Sequence, residues 1–294
     1  MDFFQPATWA EALEVKAAHP DAMPIQGGTD VMVGMNFDHF RPSALIDLNR
    51  VIELRGWAQD PTAVRLGAGV TYARIITELA DRLPGLAMAS RTVGSPQIRN
   101  RATVGGNLGA ASPAGDSHPP LLAADAVIEV ASTRGTRQIP AREFYTGVKR
   151  NALARDELIS AVLITPPSGP QQFCKIGTRN AMVISVAAFS IALHPDRQAV
   201  GTGIGSAAPT PRRATVAEQF LAAALTDEGR WQSRSAIPGA TVRRFGELVA
   251  AAASPIDDVR GSARYRLHAL AVMARRALTW AWTDYQDDAR WKAA

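Results

Sequence analysis

Residues 101–116 run RATVGGNLGAASPAGD, with four glycines, one proline and the hydroxyls of Thr103 and Ser112 placed between apolar segments. A stretch so small and so polar must form a tight turn, a cradle for a phosphate, or both. A second segment of the same form, Gln26-Gly27-Gly28-Thr29-Asp30, lies about 75 residues earlier. A pyrophosphate needs backbone N–H groups aimed at its oxygens and no Cβ obstructing its approach, and successive small residues in turn conformations supply both. The hydroxyls of Thr29 and Thr103 can donate to phosphate, and Asn107 can donate or accept nearby. Asp116 suits the hydroxyls of a sugar or sugar alcohol. One Gly-Gly turn is more often structural than functional, whereas two with flanking hydroxyls put a dinucleotide site on an equal footing with a structural role. A third glycine run, GTGIGSAAP at 201–209, lacks the third glycine and the acidic ribose partner of a Rossmann fingerprint, and it is expected to be a strand ending in a turn.

Around these segments the pattern alternates between strand and helix signals. Thr8 with Glu11 forms a capping box before a short helix that Pro20 stops. The run MPIQGGTDVMVGM predicts a strand, a Gly-Gly turn and a helix start. ALIDLNRV predicts a strand, and AVRLGAGVTYARIITEL predicts a strand, a glycine-rich turn and an amphipathic helix. Strands are expected at Ala126–Ala131 and in LISAVLITPP. PPSGPQQ reads as a connector, which places the domain boundary at 168/169, with subdomains of about 1–55 and 56–168 before it and a C-terminal domain at 169–294. That last domain opens with two β-rich runs around Gly177 and ends in helices. In its final helix Tyr265, Leu267, Leu270, Met273, Ala277 and Leu278 are expected to share one apolar face. The fold class is α+β.

Composition removes several alternatives. With Cys174 as the single cysteine, the chain can build neither an internal disulfide nor an iron–sulfur cluster. Its five histidines are scattered, which argues against a metal site. The net charge of +5 is spread out and lacks the aromatic interleaving of a nucleic-acid binder. No apolar run approaches the roughly 18 residues of a membrane span, and the first residues do not resemble a signal peptide. A cytoplasmic protein is the expectation.

The segments PIQGGTDVMVGM, IRNRATVGGNLGAASPAGDSHPPLLAADA, CKIGTRNAMVISVAAFSIAL and GIGSAAPTPRRATVAEQFL occur in an order and spacing that resembles one family. This family is the FAD-binding medium subunit of molybdenum hydroxylases, which include xanthine dehydrogenase and carbon monoxide dehydrogenase. The resemblance covers essentially the whole chain. It implies the FAD-binding fold shared with vanillyl-alcohol oxidase and p-cresol methylhydroxylase, followed by a C-terminal domain with a three-stranded antiparallel sheet and helices. It carries the family's first phosphate loop onto Gln26, Gly27, Gly28, Thr29 and Asp30, with Ile25 and Val31 lining it. The second loop falls on Thr103–Asn107, with Gly105 and Gly106 at its centre. The ribityl-binding aspartate falls on Asp116, with Ser112 in the same loop. The apolar contact to the isoalloxazine falls on Leu158, and the lysine at the flavin's polar edge on Lys175.

The implied function is electron transfer in a heterotrimer. A large partner subunit would carry the molybdenum cofactor and a small one two [2Fe–2S] clusters. FAD, held non-covalently in this chain, would pass electrons to NAD⁺, oxygen or another acceptor. No catalytic residue and no metal ligand is expected here. Two other readings stand beside it: a self-contained flavin oxidase of the vanillyl-alcohol type, and a non-enzymatic structural or nucleic-acid-binding subunit.

Overall fold

A computed structural model describes residues 1–60 and 62–287 of the chain. The N-terminal run forms β1 (Asp2–Phe4), α1 (Trp9–Ala18), β2 (Met23–Ile25), α2 (Val31–Asn36) and β3 (Ala44–Asp47). β4 (Trp57–Gln59) and β5 (Val64–Gly67) lead into α3 (Tyr72–Glu78), α4 (Pro84–Thr92), α5 (Pro96–Arg101), α6 (Val104–Ala110) and α7 (His118–Ala123). Next come β6 (Val127–Ser132), β7 (Gly135–Pro140), α8 (Ala141–Phe144), β8 (Tyr145–Gly147), β9 (Arg150–Asn151) and β10 (Leu158–Ile164). The remainder forms β11 (Gln171–Ile176), β12 (Ala187–His194), β13 (Ala199–Gly205), α9 (Thr215–Asp227), α10 (Arg230–Ser233), α11 (Gly239–Ala251) and α12 (Ala263–Asp287).

The chain divides into two units that interleave in sequence. The first comprises Met1–Glu78, Ser95–Ser112 and Ala126–Thr165, and the second Leu79–Gly94, Pro113–Asp125 and the chain from Pro166 onward. The short helix α4 and the helix α7 therefore pack with the C-terminal region.

In the first unit the capping box forms as the sequence predicts. Thr8 Oγ1 accepts from the Glu11 amide at 3.2 Å, and the Glu11 carboxylate accepts from the Ala7 amide at 2.7 Å. Two helical crossovers, α1 and α2, allow β1, β3 and β2 to pair as a parallel sheet in that order. A second sheet, ordered β4-β5-β10-β6-β7, is antiparallel throughout. Strand β10 sits at its centre, which accounts for the near-continuous apolar run LISAVLI: six of its seven residues are buried. Leu66, Ile75, Val104, Leu108, Ile128, Val130 and Val162 fill the core.

In the second unit β11, β12 and β13 form a three-stranded antiparallel sheet. All eight residues of β12 are buried. Helix α7 lies so close to β13 that a Cβ at Gly201 or Gly203 would be driven into the carbonyl oxygens of Ala123 and Pro119. The glycines of GTGIG thus serve close packing rather than nucleotide binding. The core continues through Phe189, Leu221, Phe245, Leu270, Met273, Ala277 and Leu278. One element differs from expectation. Tyr265 is exposed, whereas Arg266 turns inward and is buried, because its guanidinium donates to the carbonyls of Val186 and Ser206. Two buried carbonyls outweigh the apolar periodicity at that turn.

Candidate functional site

In the first unit the chain leaves β2 through Gln26 and turns at Gly28, whose φ of +73° is a left-handed conformation suited to glycine. Gly27 lies against the backbone of Arg101 and Ala102, and a Cβ there would enter the Arg101 carbonyl. Only glycine allows this approach, and it brings the two Gly-Gly segments side by side. Among the described residues, the amides of Gly28 and Thr29 take no hydrogen bond within the chain. Ile25 ends β2 half-buried, Thr29 is half-buried, Asp30 is exposed, and Val31 opens α2.

The second segment is the start of a helix. Thr103 is the N-cap of α6, its hydroxyl oxygen accepting from the Gly106 amide at 3.0 Å. Gly105 is buried and donates to the Ala68 carbonyl at 3.0 Å; a Cβ on it would meet Ala68 at 2.6 Å. Gly106 differs from it. It is exposed, and a Cβ would find only its own cap oxygen, 3.2 Å away, and nothing else within 4 Å. Protein packing thus accounts for Gly27 and Gly105 and leaves open the space in front of Gly106, which a pyrophosphate cradle needs. Asn107 follows within α6, and Ser112 is half-buried just beyond it. Leu158 opens β10 opposite Ala131 and is 2 % exposed.

A third segment, Ala68–Thr71, joins these two and was missed at the level of sequence. Val104 donates to Val70, Gly105 to Ala68 and Tyr72 to Ala102, while Gly69 leaves room for the Gln26 side chain. The signal was present in RLGAGVTY, which has the same strand–glycine–helix form.

The second unit holds Asp116 and Lys175. Both side chains are almost fully enclosed, at 7 % and 8 % exposure, and Lys175 Nζ donates to Asp116 Oδ2 at 2.5 Å. Lys175 also donates to the Thr92 carbonyl at 3.2 Å. The Thr92 hydroxyl lies 3.1 Å from Asp116 Oδ2, and the Ser185 hydroxyl donates to Oδ1 at 3.2 Å. Burial pushes the Asp116 carboxyl above its ordinary range, opposed by the Lys175 ammonium and the two hydroxyls. Thr92 and Ser185 are additional members of this cluster that the sequence did not single out. Among the described residues no group of His, Cys, Asp and Glu could hold a metal.

A mixed helix–sheet fold whose paired glycine segments leave amides and space open suits a phosphate-bearing ligand, and comparison with known proteins narrows the class. The family described as "FAD binding domain in molybdopterin dehydrogenase" matches residues 1–167. "CO dehydrogenase flavoprotein C-terminal domain" matches residues 173–281. The chain belongs to this family of FAD-binding oxidoreductase subunits. It is 31 % identical to the xanthine dehydrogenase FAD-binding subunit of Escherichia coli, over 94 % of each chain. It is 32 % identical to the nicotine 6-hydroxylase medium subunit of Paenarthrobacter nicotinovorans, over 94 % of this chain and 95 % of that one. Among solved structures it is similar to carbon monoxide dehydrogenase from Oligotropha carboxidovorans, with a TM-score of 0.86 and 27 % identity, over 96 % of this chain and 98 % of the other.

Proposed function

We propose that this chain is the electron-transfer subunit of a molybdenum hydroxylase complex. In this reading a small partner with [2Fe–2S] clusters delivers electrons, a large partner carries the molybdenum cofactor, and NAD⁺, oxygen or another acceptor leaves with the electrons. When bound, FAD supplies the exchange between single-electron carriers and a two-electron acceptor. The observation that carries the proposal is Gly106, a glycine that protein packing does not demand, together with the Gly28 and Thr29 amides, which have no partner among the described residues.

The chain's own residues then have separate tasks. The pyrophosphate lies between the segments Gln26–Asp30 and Thr103–Asn107: the Gly28 and Thr29 amides donate to it, Gly106 leaves room for it, and Ile25 and Val31 flank the first turn. Asp116, with Ser112, accepts from the ribityl hydroxyls. Leu158 supports the isoalloxazine from the core. Lys175 lies at the flavin's polar edge, and its pairing with Asp116 makes the two one charge-balanced unit. FAD is held without a covalent link. The fold detail belongs with the vanillyl-alcohol oxidase type, with 1–168 as the FAD-binding domain and 169–294 as the C-terminal domain. A cytoplasmic location is part of this reading; among the described residues no helix is long and apolar enough to cross a membrane.

The test is an absorption spectrum of the purified chain, with heat release and mass identification of the chromophore. Flavin bands, released FAD and co-purifying molybdenum and iron–sulfur subunits are expected. Gly106→Val should remove the FAD and leave the far-UV circular dichroism intact. A colourless protein that takes up no added FAD, or a fully flavinated Gly106→Val protein, overturns the placement.

A further inference from the structure

Asp116 reaches three donors, and they are not equivalent. Oδ2 faces Lys175 Nζ at 2.5 Å and the Thr92 hydroxyl at 3.1 Å. The Thr92 hydroxyl has one proton and a closer acceptor, the Ala89 carbonyl at 2.8 Å, to which it bonds back within its own helix. Oδ1 faces the Ser185 hydroxyl at 3.2 Å. Ser185 is 2 % exposed, and among the described residues its hydroxyl has no other partner. Ser185 is therefore the one hydroxyl whose proton is committed to the carboxylate.

The backbone next to Ser185 is itself pinned. The Val186 amide donates to the Ile176 carbonyl at 2.8 Å, and the Val186 carbonyl accepts from Arg266 at 2.8 Å. Arg266 also donates to Asp258 at 2.6 Å. The exposed loop between β11 and β12, which includes Met182 and Ile184, thus ends in a fixed residue. A carboxylate offers about four acceptor directions, two on each oxygen. Lys175 donates along one direction of Oδ2 and the Thr92 oxygen, 3.1 Å away, occupies the space along the other, so the direction left open beside Ser185 belongs to Oδ1.

We infer that Ser185 is a positioning residue of the cofactor site. It fixes the rotation of the Asp116 carboxylate so that Oδ2 balances Lys175 and Oδ1 presents one acceptor direction to a sugar-alcohol hydroxyl. This rests on the proposed role of Asp116 toward the ribityl chain. Without Ser185 the carboxylate can turn about its Cβ–Cγ bond, and the acceptor is no longer held in place.

The experiment titrates the deflavinated full-length chain with FAD, FMN and ADP, following flavin fluorescence and, for ADP, calorimetry. Ser185→Ala should weaken FAD and FMN roughly tenfold, the scale of one hydrogen bond to a charged group. ADP, which lacks the ribityl chain, should bind as in the wild type, and Ser185→Thr should restore flavin affinity. Asp116→Asn is the control for the underlying reading and should weaken FAD and FMN in the same selective way. If Asp116→Asn weakens flavin and Ser185→Ala does not, the inference about Ser185 fails alone. If neither variant alters flavin affinity, the assignment of Asp116 fails and takes the inference with it. Equal loss of ADP and flavin in Ser185→Ala marks a folding defect and overturns the positioning role.

Discussion

Glu218 on α9 receives both polar hydrogens of Thr202 on β13, its Oε1 lying 2.8 Å from the amide and 2.7 Å from the hydroxyl. Arg213 closes the same carboxylate from the other side with two bonds of 2.9 Å. Helix and sheet are joined here by a charge that is 6 % exposed. Glu218→Ala leaves the buried Thr202 amide without its acceptor and Arg213 with Asp125 alone, and it should cost about 3 kcal/mol in urea unfolding. Glu218→Gln keeps a carbonyl oxygen for Thr202 and should cost clearly less. Equal losses for the two variants would show that side-chain volume, not the network, holds α9 in place.

Two glycines of the cradle should respond in opposite ways. Gly27→Ala drives a Cβ into the Arg101 carbonyl, so the apoprotein itself should be destabilised by about 2 kcal/mol or more. Gly106→Ala meets only the Thr103 hydroxyl, and in the first turn of a helix alanine should leave apoprotein stability within about 1 kcal/mol of wild type. It should nevertheless weaken FAD. Thermal unfolding of the apoproteins and flavin titration, run side by side, separate the two effects.

Glu78 gives an acid-range signature. The Arg74 guanidinium, and after it the Trp57 indole N–H, hold its carboxyl down at about 2, against an ordinary 4.5. A depressed carboxyl contributes stability above its unfolded value and loses it as the pH falls through the folded value. Between pH 4.5 and about 2 the wild-type Tm should therefore fall more steeply than that of Glu78→Gln. Solvent access to the pair keeps the difference small. Parallel slopes would show that the pair does not persist in solution.

Cys174 should be inert while the chain is folded. Burial pushes its thiol up to about 11, so little thiolate exists near neutrality. A disulfide reagent at pH 8 should label it slowly in buffer and completely in denaturant. Rapid labelling in buffer would mean that β11 opens readily.

Much of the fold was legible wherever local chemistry decides the outcome. Thr8 with Glu11 marked the start of α1, Pro20 its end, and the apolar run 158–164 the central strand. The glycine segments at 26–30 and 103–107 were visible as a pair because both combine glycines with hydroxyls, although the second proved to be the start of α6 rather than a turn. What stayed hidden depends on tertiary neighbours. Tyr265 and Arg266 exchange the expected faces because two distant carbonyls, Val186 and Ser206, need a donor. Ala68–Thr71 carries no polar side chain before Thr71, so its place beside the cradle rests on backbone bonds alone. Ser185 is an ordinary serine in sequence, and only the approach of Asp116, 69 residues earlier, gives it a partner.

The interleaving of the two units also bears on the order in which the chain is made. The second unit takes α4 and α7 from the first half of the polypeptide, while β13, on which α7 lies, emerges much later from the ribosome. Until Gly201 and Gly203 are synthesised, the Pro119 and Ala123 backbone has no strand to rest on. A gene cut at the linker near residue 168 would therefore yield a C-terminal fragment missing two of its helices, with β13 left bare on the face that α7 covers.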